Sequence, residues 1–329
     1  MSGGGATDDT VAIQTVTGPV TADGFASGLA HEHLFVDFLG PADPRYEQVD
    51  WDEVRSACVD RLEPVGAAGV DLLVDCTCIG IGRNVDLLRH MSSSTGIRIA
   101  SATGIYKALR PPELRDASVD ELAGLFVREL TVGIGGSPVR AGFVKLATTE
   151  DGPTKDETLV HRAGAMAAAT TGAAIVLHSP RSDVAGTVLR TLEREGFDPA
   201  RLVWAHAQES TLEENLALAA RGLTISLDAI GTSDDEEMLR RIERFAEAGR
   251  REQVVVSSDS SLVVHPAELA YERDIEHLHR TFLPELERRL GAEIRDVLTH
   301  RNVLRAFGVG RAEHARSSAR SPAEPARRR

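Results

Sequence analysis

The chain has 329 residues, a formal net charge of −13 and 42% hydrophobic residues. That length accommodates one large domain or two ordinary ones. The acidic balance argues against nucleic acid or an anionic membrane surface as the main partner.

Residues 1–10, MSGGGATDDT, lack the basic start and apolar core of an export signal and read as a flexible lead-in. No later segment offers the roughly 18 uncharged apolar residues of a membrane span. The three cysteines, Cys58, Cys76 and Cys78, are too few and too clustered for a disulfide framework or a four-thiolate zinc site. They read as free thiols in a reducing compartment, so the expected location is cytoplasmic.

Residues 11–24, VAIQTVTGPVTADG, predict a small β-hairpin with turns at Gly18-Pro19 and Asp23-Gly24. From about residue 26 short apolar runs alternate with longer amphipathic stretches. The runs are GLAHEHLFVD, VDLLVDC (70–76), IRIASATG (97–104), RAGFVKLAT (140–148), AAIVLHS (173–179), RLVWAHA (201–207), LTISLDAIG (223–231) and QVVVSSD (253–259). Between them lie segments of helical period such as WDEVRSACVDRLEPVGAAG, ETLVHRAGAMAAATTG, SDVAGTVLRTLEREG and DDEEMLRRIERFAEAG, each closing on a glycine.

Eight such units predict a TIM (β/α)8 barrel over residues 11–310, which agrees with the typical length of about 250 residues. An open doubly wound sheet is the structural competitor. No strand is followed by a full GxGxxG, and IGIGRN at 79–84, which lacks the third glycine, reads as a plain turn more readily than as a phosphate loop. Residues 311–329, RAEHARSSARSPAEPARRR, have almost no apolar side chains to bury and predict a disordered tail, so its His314 is no ligand.

In a barrel, chemistry belongs at the C-terminal ends of the strands, which share one mouth. His31 and His33 fall late in the first run, in AHEHLFVDF, where alternation sends both rings to one side and Glu32 to the other. Lys145 falls late in the fourth run, His178 and His206 at the ends of the fifth and sixth, and Asp259 at the end of the eighth.

Each alone has an ordinary structural explanation, as a satisfied histidine or a helix-capping aspartate. Lys145 is harder to place, because a buried ammonium between Val144 and Leu146 loses hydration without an evident partner. Together the six predict a metal centre. Four imidazoles and a carboxylate favour zinc or a close relative over magnesium or calcium. The set serves two ions if something bridges them, and a neutral lysine that has taken up carbon dioxide would do so.

The chain resembles the phosphotriesterase-related family of the amidohydrolase superfamily, from about residue 15 to about residue 308. The resemblance is carried in order by TGPVTADGFASGLAHEHLFVDF, GFVKLATTE, VLHSP, WAHAQESTLEENLALAARGLTISLDAIG, and VVVSSD followed by FLPELERRLG. It implies two divalent ions, zinc by expectation, with His31, His33 and Asp259 on the more buried one and His178 and His206 on the more exposed one. It also implies that Lys145 is an N6-carboxylysine which, with a hydroxide, bridges both.

The implied activity is hydrolysis of a carboxyl ester or lactone by that hydroxide, with Asp259 accepting its proton and Lys145 supporting the centre. Phosphotriesters and N-acyl amides are alternative substrates, and a homodimer is implied. The chain departs from many lactonase-like relatives at Ala229, where they have arginine, and at Asn84, Val303 and HAQES.

Tyr106 is expected near the leaving oxygen, with Lys107 and Arg83 as anion contacts. The segment from Ser260 to Arg273 is expected as a loop over the mouth that offers Leu262, His265 and Tyr271 to the substrate. His90, His161, His277 and His279 read as surface or packing residues, and Asn302 as a structural cap. Two rival readings remain. One is a mononuclear deaminase using Glu209 as its acid/base; the other is a barrel that binds without catalysing.

Overall fold

A computed structural model describes residues 11–270 and 273–310. The expected flexible lead-in at 1–10, the tail at 311–329 with His314, and Tyr271 lie outside the described residues.

The N-terminal hairpin forms from β1 (Val11–Thr15) and β2 (Gly18–Thr21), paired antiparallel with Thr15 opposite Gly18. The turn is therefore Val16-Thr17. Gly18 and Pro19, expected in the turn, instead open the second strand, and Asp23-Gly24 lie in the 3-10 turn Ala22–Gly24.

Every apolar run then supplies a strand. These are β3 (Gly28–Asp37), β4 (Leu72–Asp75), β5 (Arg98–Thr103), β6 (Phe143–Ala147), β7 (Ala174–His178), β8 (Leu202–Ala205), β9 (Thr224–Leu227) and β10 (Val254–Val256). Helices α1 (Trp51–Ala67), α2 (Val85–Thr95), α3 (Val119–Thr131), α4 (Lys155–Thr171), α5 (Ser182–Arg194), α6 (Leu212–Ala220) and α7 (Asp235–Glu247) separate them in turn. All neighbouring barrel strands are parallel, as helical crossovers require.

Local chemistry sets the helix limits. Ser118, Thr154 and Thr211 each accept from the N3 amide while the N3 glutamate returns a bond to the cap, which satisfies amides the helix leaves bare. Helix α4 stops at Gly172, whose φ of 76° suits glycine alone at low cost.

The barrel closes through a feature absent from the strand pattern. Beyond β10 the chain kinks through residues 257–260 and continues as β11 (Ser261–His265), which pairs parallel with β3. The eighth stave is thus two short strands, β10 on β9 and β11 on β3. After α8 (Leu283–Leu290), the terminal β12 (Val309–Gly310) pairs with β1 and completes a three-stranded sheet with the hairpin.

That small sheet plugs the N-terminal end of the barrel. Ile13 and Val20 join Phe143, Val203, Val255 and Phe307 in one buried cluster. A larger cluster lies between the strands and the helices. No helix among the described residues is long and apolar enough to cross a membrane.

Candidate active site

At the other end of the barrel the interior turns polar. A cavity of about 120 Å³ is lined by His31, His33, Lys145, His178, His206 and Asp259, together with Tyr106 and the apolar Val36, Phe38 and Ile81. The six ligand-type residues, expected from five strands, share this one space.

Strand β3 delivers both of its histidines inward, and a bulge shapes how. Leu29 faces Leu73 but Glu32 faces Asp75, so β3 carries one extra residue. Bulges of this kind re-aim side chains beside sites. His31 Nε2 and His33 Nε2 both approach Asp259 Oδ1, at 3.4 and 3.3 Å.

Glu32 does face elsewhere. Its fully buried carboxyl accepts from the Ser257 hydroxyl and the Ser258 and Ser260 amides, at 2.6–2.8 Å. Burial pushes its pKa up to about 8 in spite of these donors. The clamp holds the kink that carries Asp259, whose φ of +48° is a strained choice for a residue with a side chain.

The tautomers follow from the outer partners. His31 Nδ1 donates to Asp228 Oδ2 at 2.9 Å, and His206 Nδ1 donates to Asp228 Oδ1 at 3.0 Å. His33 Nδ1 donates to Thr77 Oγ1 at 2.9 Å, and that hydroxyl donates in turn to the Phe35 carbonyl. Three imidazoles therefore direct an Nε2 lone pair to the centre, the arrangement that metal-binding histidines need. Around them, Lys145 Nζ donates to His31 Nε2 at 3.0 Å, and His178 Nδ1 lies 2.6 Å from His206 Nε2.

Lys145 is 1% exposed. Its backbone carbonyl also abuts Gly104, where a Cβ would come within 2.1 Å, so only glycine lets the end of β5 approach it.

Electrostatics prepares the same donors. Burial, with the Lys145 charge second, lowers His31 to about 4, so the ring is neutral near pH 7. Burial and the adjacent His206 hold His178 well below the ordinary range. Burial also opposes protonation of His206, but the Asp228 carboxylate outweighs it and moves that group upward. For Asp259 and Asp228 burial favours the neutral acid, yet the facing histidines prevail and both carboxyls are lowered.

Among the described residues, two groups of three have ligand atoms within 4.8 Å of one another: His31, His33 and Asp259; and His31, His206 and Asp228. Two such closely spaced groups point to a binuclear metal site. The donor set fits borderline divalent ions, being neutral imidazole and ionised carboxylate in a buried pocket. Within it Asp228 is better suited to orienting than to ligation. Its oxygens already accept from both rings, from the His206 amide, from Gln208 and from Ser226.

Strand-end reasoning had reached His206 and Asp259 and passed over Asp228, although LDAIG offered it at the end of β9 by the same rule. The His206 backbone, at φ 61° and ψ 30°, also breaks the strand so that its ring enters the site one residue after Ala205.

Not every expected contact reaches the cavity. Tyr106 does, with its hydroxyl 3.4 Å from His178 Nε2. Lys107 instead places Nζ 5.8 Å from the centre of the Tyr106 ring. Arg83 is held by Glu129 of α3 through both terminal nitrogens, at 2.6 and 2.8 Å, and donates to the Ala102 carbonyl. That buried ion pair holds the guanidinium outside the cavity lining.

Leu262 and His265 were expected in a loop but belong to β11. Leu262 is buried in the helix-side cluster with Val54 and Cys58, while His265 ends the strand outside the cavity lining, its carbonyl accepting from Phe38. Glu209 is exposed and also outside the lining. Cys76 and Cys78 are free, wholly buried and, through burial, raised in pKa, which leaves the thiols unreactive. His161 donates to the Ala147 carbonyl at 2.9 Å and Asn302 to those of Arg251 and Val254, both packing roles.

Comparison with known proteins agrees with this geometry. The model of the Phosphotriesterase family matches residues 11–303. An aryldialkylphosphatase of Saccharolobus solfataricus is 32% identical over 70% of this chain and 76% of its own. A phosphotriesterase homology protein of Mycobacterium tuberculosis is 31% identical over 75% of this chain and 80% of its own. A mutant of a PTE-like lactonase from Deinococcus radiodurans superposes with a TM-score of 0.79 at 28% identity, covering 90% of this chain and 100% of that one.

Proposed function

This chain belongs to the phosphotriesterase family, and from that premise we propose that it is a binuclear zinc hydrolase of carboxyl esters or lactones. The coarser activity, metal-dependent hydrolysis of ester or phosphoester bonds, rests on the family together with the His/Asp cluster. The observation that carries the finer reading is the convergence of six ligand-type side chains on one cavity.

In this reading His31, His33 and Asp259 would hold one ion and His178 and His206 the other, and Lys145, as its carbamate, would contribute ligand oxygens. Bound ions supply Lewis acidity toward the substrate oxygen and make water acidic enough to deprotonate near neutral pH. The chain's own groups do the rest. Asp228 and Thr77 keep the imidazoles in the ligating tautomer.

Asp259, ionised and open to the cavity, accepts the proton released as water attacks. The Tyr106 hydroxyl, at the cavity wall, is placed to donate to the leaving oxygen. Val36, Phe38 and Ile81 offer an apolar wall to the non-reacting part of the substrate and exclude water there.

A second reading, phosphotriester hydrolysis at the same centre, draws on the similarity to the aryldialkylphosphatase. The deaminase reading loses its acid/base, because Glu209 is exposed away from the cavity. A small-molecule substrate and a homodimer belong to the same proposal by family resemblance, and a reducing cytoplasm by the three free thiols.

The test is a turnover screen of zinc-loaded protein prepared with bicarbonate. Lactones, aryl carboxyl esters, phosphotriesters and N-acyl amino acids are each compared with the Lys145→Ala variant. The proposal expects fastest turnover of a lactone or carboxyl ester and its loss in the variant. Preference for phosphotriester selects the second reading, and turnover indifferent to Lys145 rejects the bridged centre.

A further inference from the structure

Asp259 has two carboxylate oxygens, and the chain treats them differently. Oδ1 faces His31 and His33. Oδ2 faces Arg273, whose guanidinium lies 3.2 Å away. The same arginine donates to the Ser258 carbonyl at 2.7 Å and reaches the Asp228 carbonyl at 3.4 Å.

One side chain, 22% exposed, thereby ties together the end of β9, the kink after β10 and the carboxylate between them. The residue after Asp228 is Ala229, whose methyl group has no polar atom with which to do this.

We infer that Arg273 is a positioning residue for the reaction. It holds Asp259 Oδ2 and thereby presents Oδ1 in a fixed orientation to the ligand-binding histidines.

The argument is geometric. Asp259 sits at a positive φ on a short kink, so its carboxylate direction is not set by regular strand pairing. The Glu32 clamp fixes the kink's backbone through Ser257, Ser258 and Ser260 but makes no bond to the Asp259 side chain. Rotation of that side chain would exchange the two oxygens, and the arginine is the group that distinguishes them. An ion pair between the guanidinium and Oδ2 at 3.2 Å, in a largely buried setting, favours one rotamer. The carbonyl contacts, in turn, hold the guanidinium. Arg273 reaches the site from outside the barrel strands, so it also couples the chain beyond β11 to the carboxylate.

The inference rests on the metal-centre reading, and its test separates the two. Cobalt(II) is loaded into the wild type, Arg273→Ala and Arg273→Lys, and three quantities are read: the visible spectrum, the apparent cobalt dissociation constant by chelator competition, and kcat and KM on the best substrate. The alanine variant is expected to bind cobalt about 10-fold more weakly, with an altered spectrum and a kcat about 10- to 100-fold lower. Its KM should stay within about threefold, since the group touches the carboxylate and not the substrate.

Arg273→Lys, which keeps the charge that faces Oδ2, is expected to recover part of kcat, as is added guanidinium with the alanine variant. A wild-type spectrum and kcat in Arg273→Ala overturn the inference. So does a raised KM with unchanged kcat, which makes Arg273 a substrate contact. A wild type that takes up no cobalt overturns the metal-centre reading and this inference with it.

Discussion

Phe143 and Lys145 stand two residues apart on β6, and the barrel puts them to opposite uses. Phe143 is buried among the apolar Ile13, Val203, Val255 and Phe307 under the N-terminal sheet. Lys145 is equally buried but lies in a cavity with four histidines and Asp259.

The same division runs along β7, from Ala174 and Val176 to His178, and from Val255 of β10 to Asp259 beyond its end. The lower half satisfies its residues by packing. The upper half gathers lone pairs and charge, and it tolerates left-handed backbone at His206 and Asp259. The lesson is that stability and chemistry are carried by alternate levels of one set of strands, so substitutions at the two levels fail in different ways.

The largest expected effect is at the upper level. Asp259→Asn keeps the shape and loses the ionised acceptor, so kcat is expected to fall ~10²–10⁴-fold while the thermal midpoint changes little. Steady-state kinetics beside a melting curve checks both parts, and a large drop in midpoint with kcat preserved would dissolve the division.

At the lower level the expectation reverses. Phe143→Ala opens a void against Phe307 and is expected to cost about 3–5 kcal/mol of stability, read by denaturant unfolding. Activity per folded molecule should remain within about threefold, since the lower level takes no part in the chemistry.

The smallest effect concerns His279, at the lower level, where the ring contacts the Ser27 hydroxyl just before β3 at 2.9 Å. Burial, and secondarily Arg295, lowers its pKa from 6.5 to about 4. The unfolded chain therefore takes up this proton first on acidification. The contribution is complete above about pH 6.5 and is lost as pH falls toward about 4. His279→Leu is expected to flatten the dependence of the melting midpoint on pH in that window, with no change in the pH profile of activity. An unchanged slope would remove His279 from the account.

The architecture was legible because period and punctuation agreed along the chain. Each of the eight apolar runs became a strand, and the glycine expected after ETLVHRAGAMAAATT ends α4. His31, His33, Lys145, His178, His206 and Asp259 were legible for a related reason. Each breaks an apolar run at its C-terminal end, where a barrel has its mouth.

What escaped depended on contacts between distant segments. The pairing of Arg83 with Glu129, 46 residues on, has no local sign in the sequence. The place of Leu262 in a strand has no local sign either, because the kink that continues the eighth stave is set by Glu32, more than 220 residues earlier. Arg273 appeared only as one polar residue in a loop, since alternation carries no information about where a returning segment lands.

The most direct test of the central claim is the metal content of the intact protein, measured by native mass spectrometry with and without bicarbonate during loading. The account predicts two divalent ions per chain together with the added mass of one carbon dioxide, and loss of that added mass in Lys145→Ala with impaired retention of both ions. A single ion, or two ions held equally well by Lys145→Ala without the added mass, would contradict it.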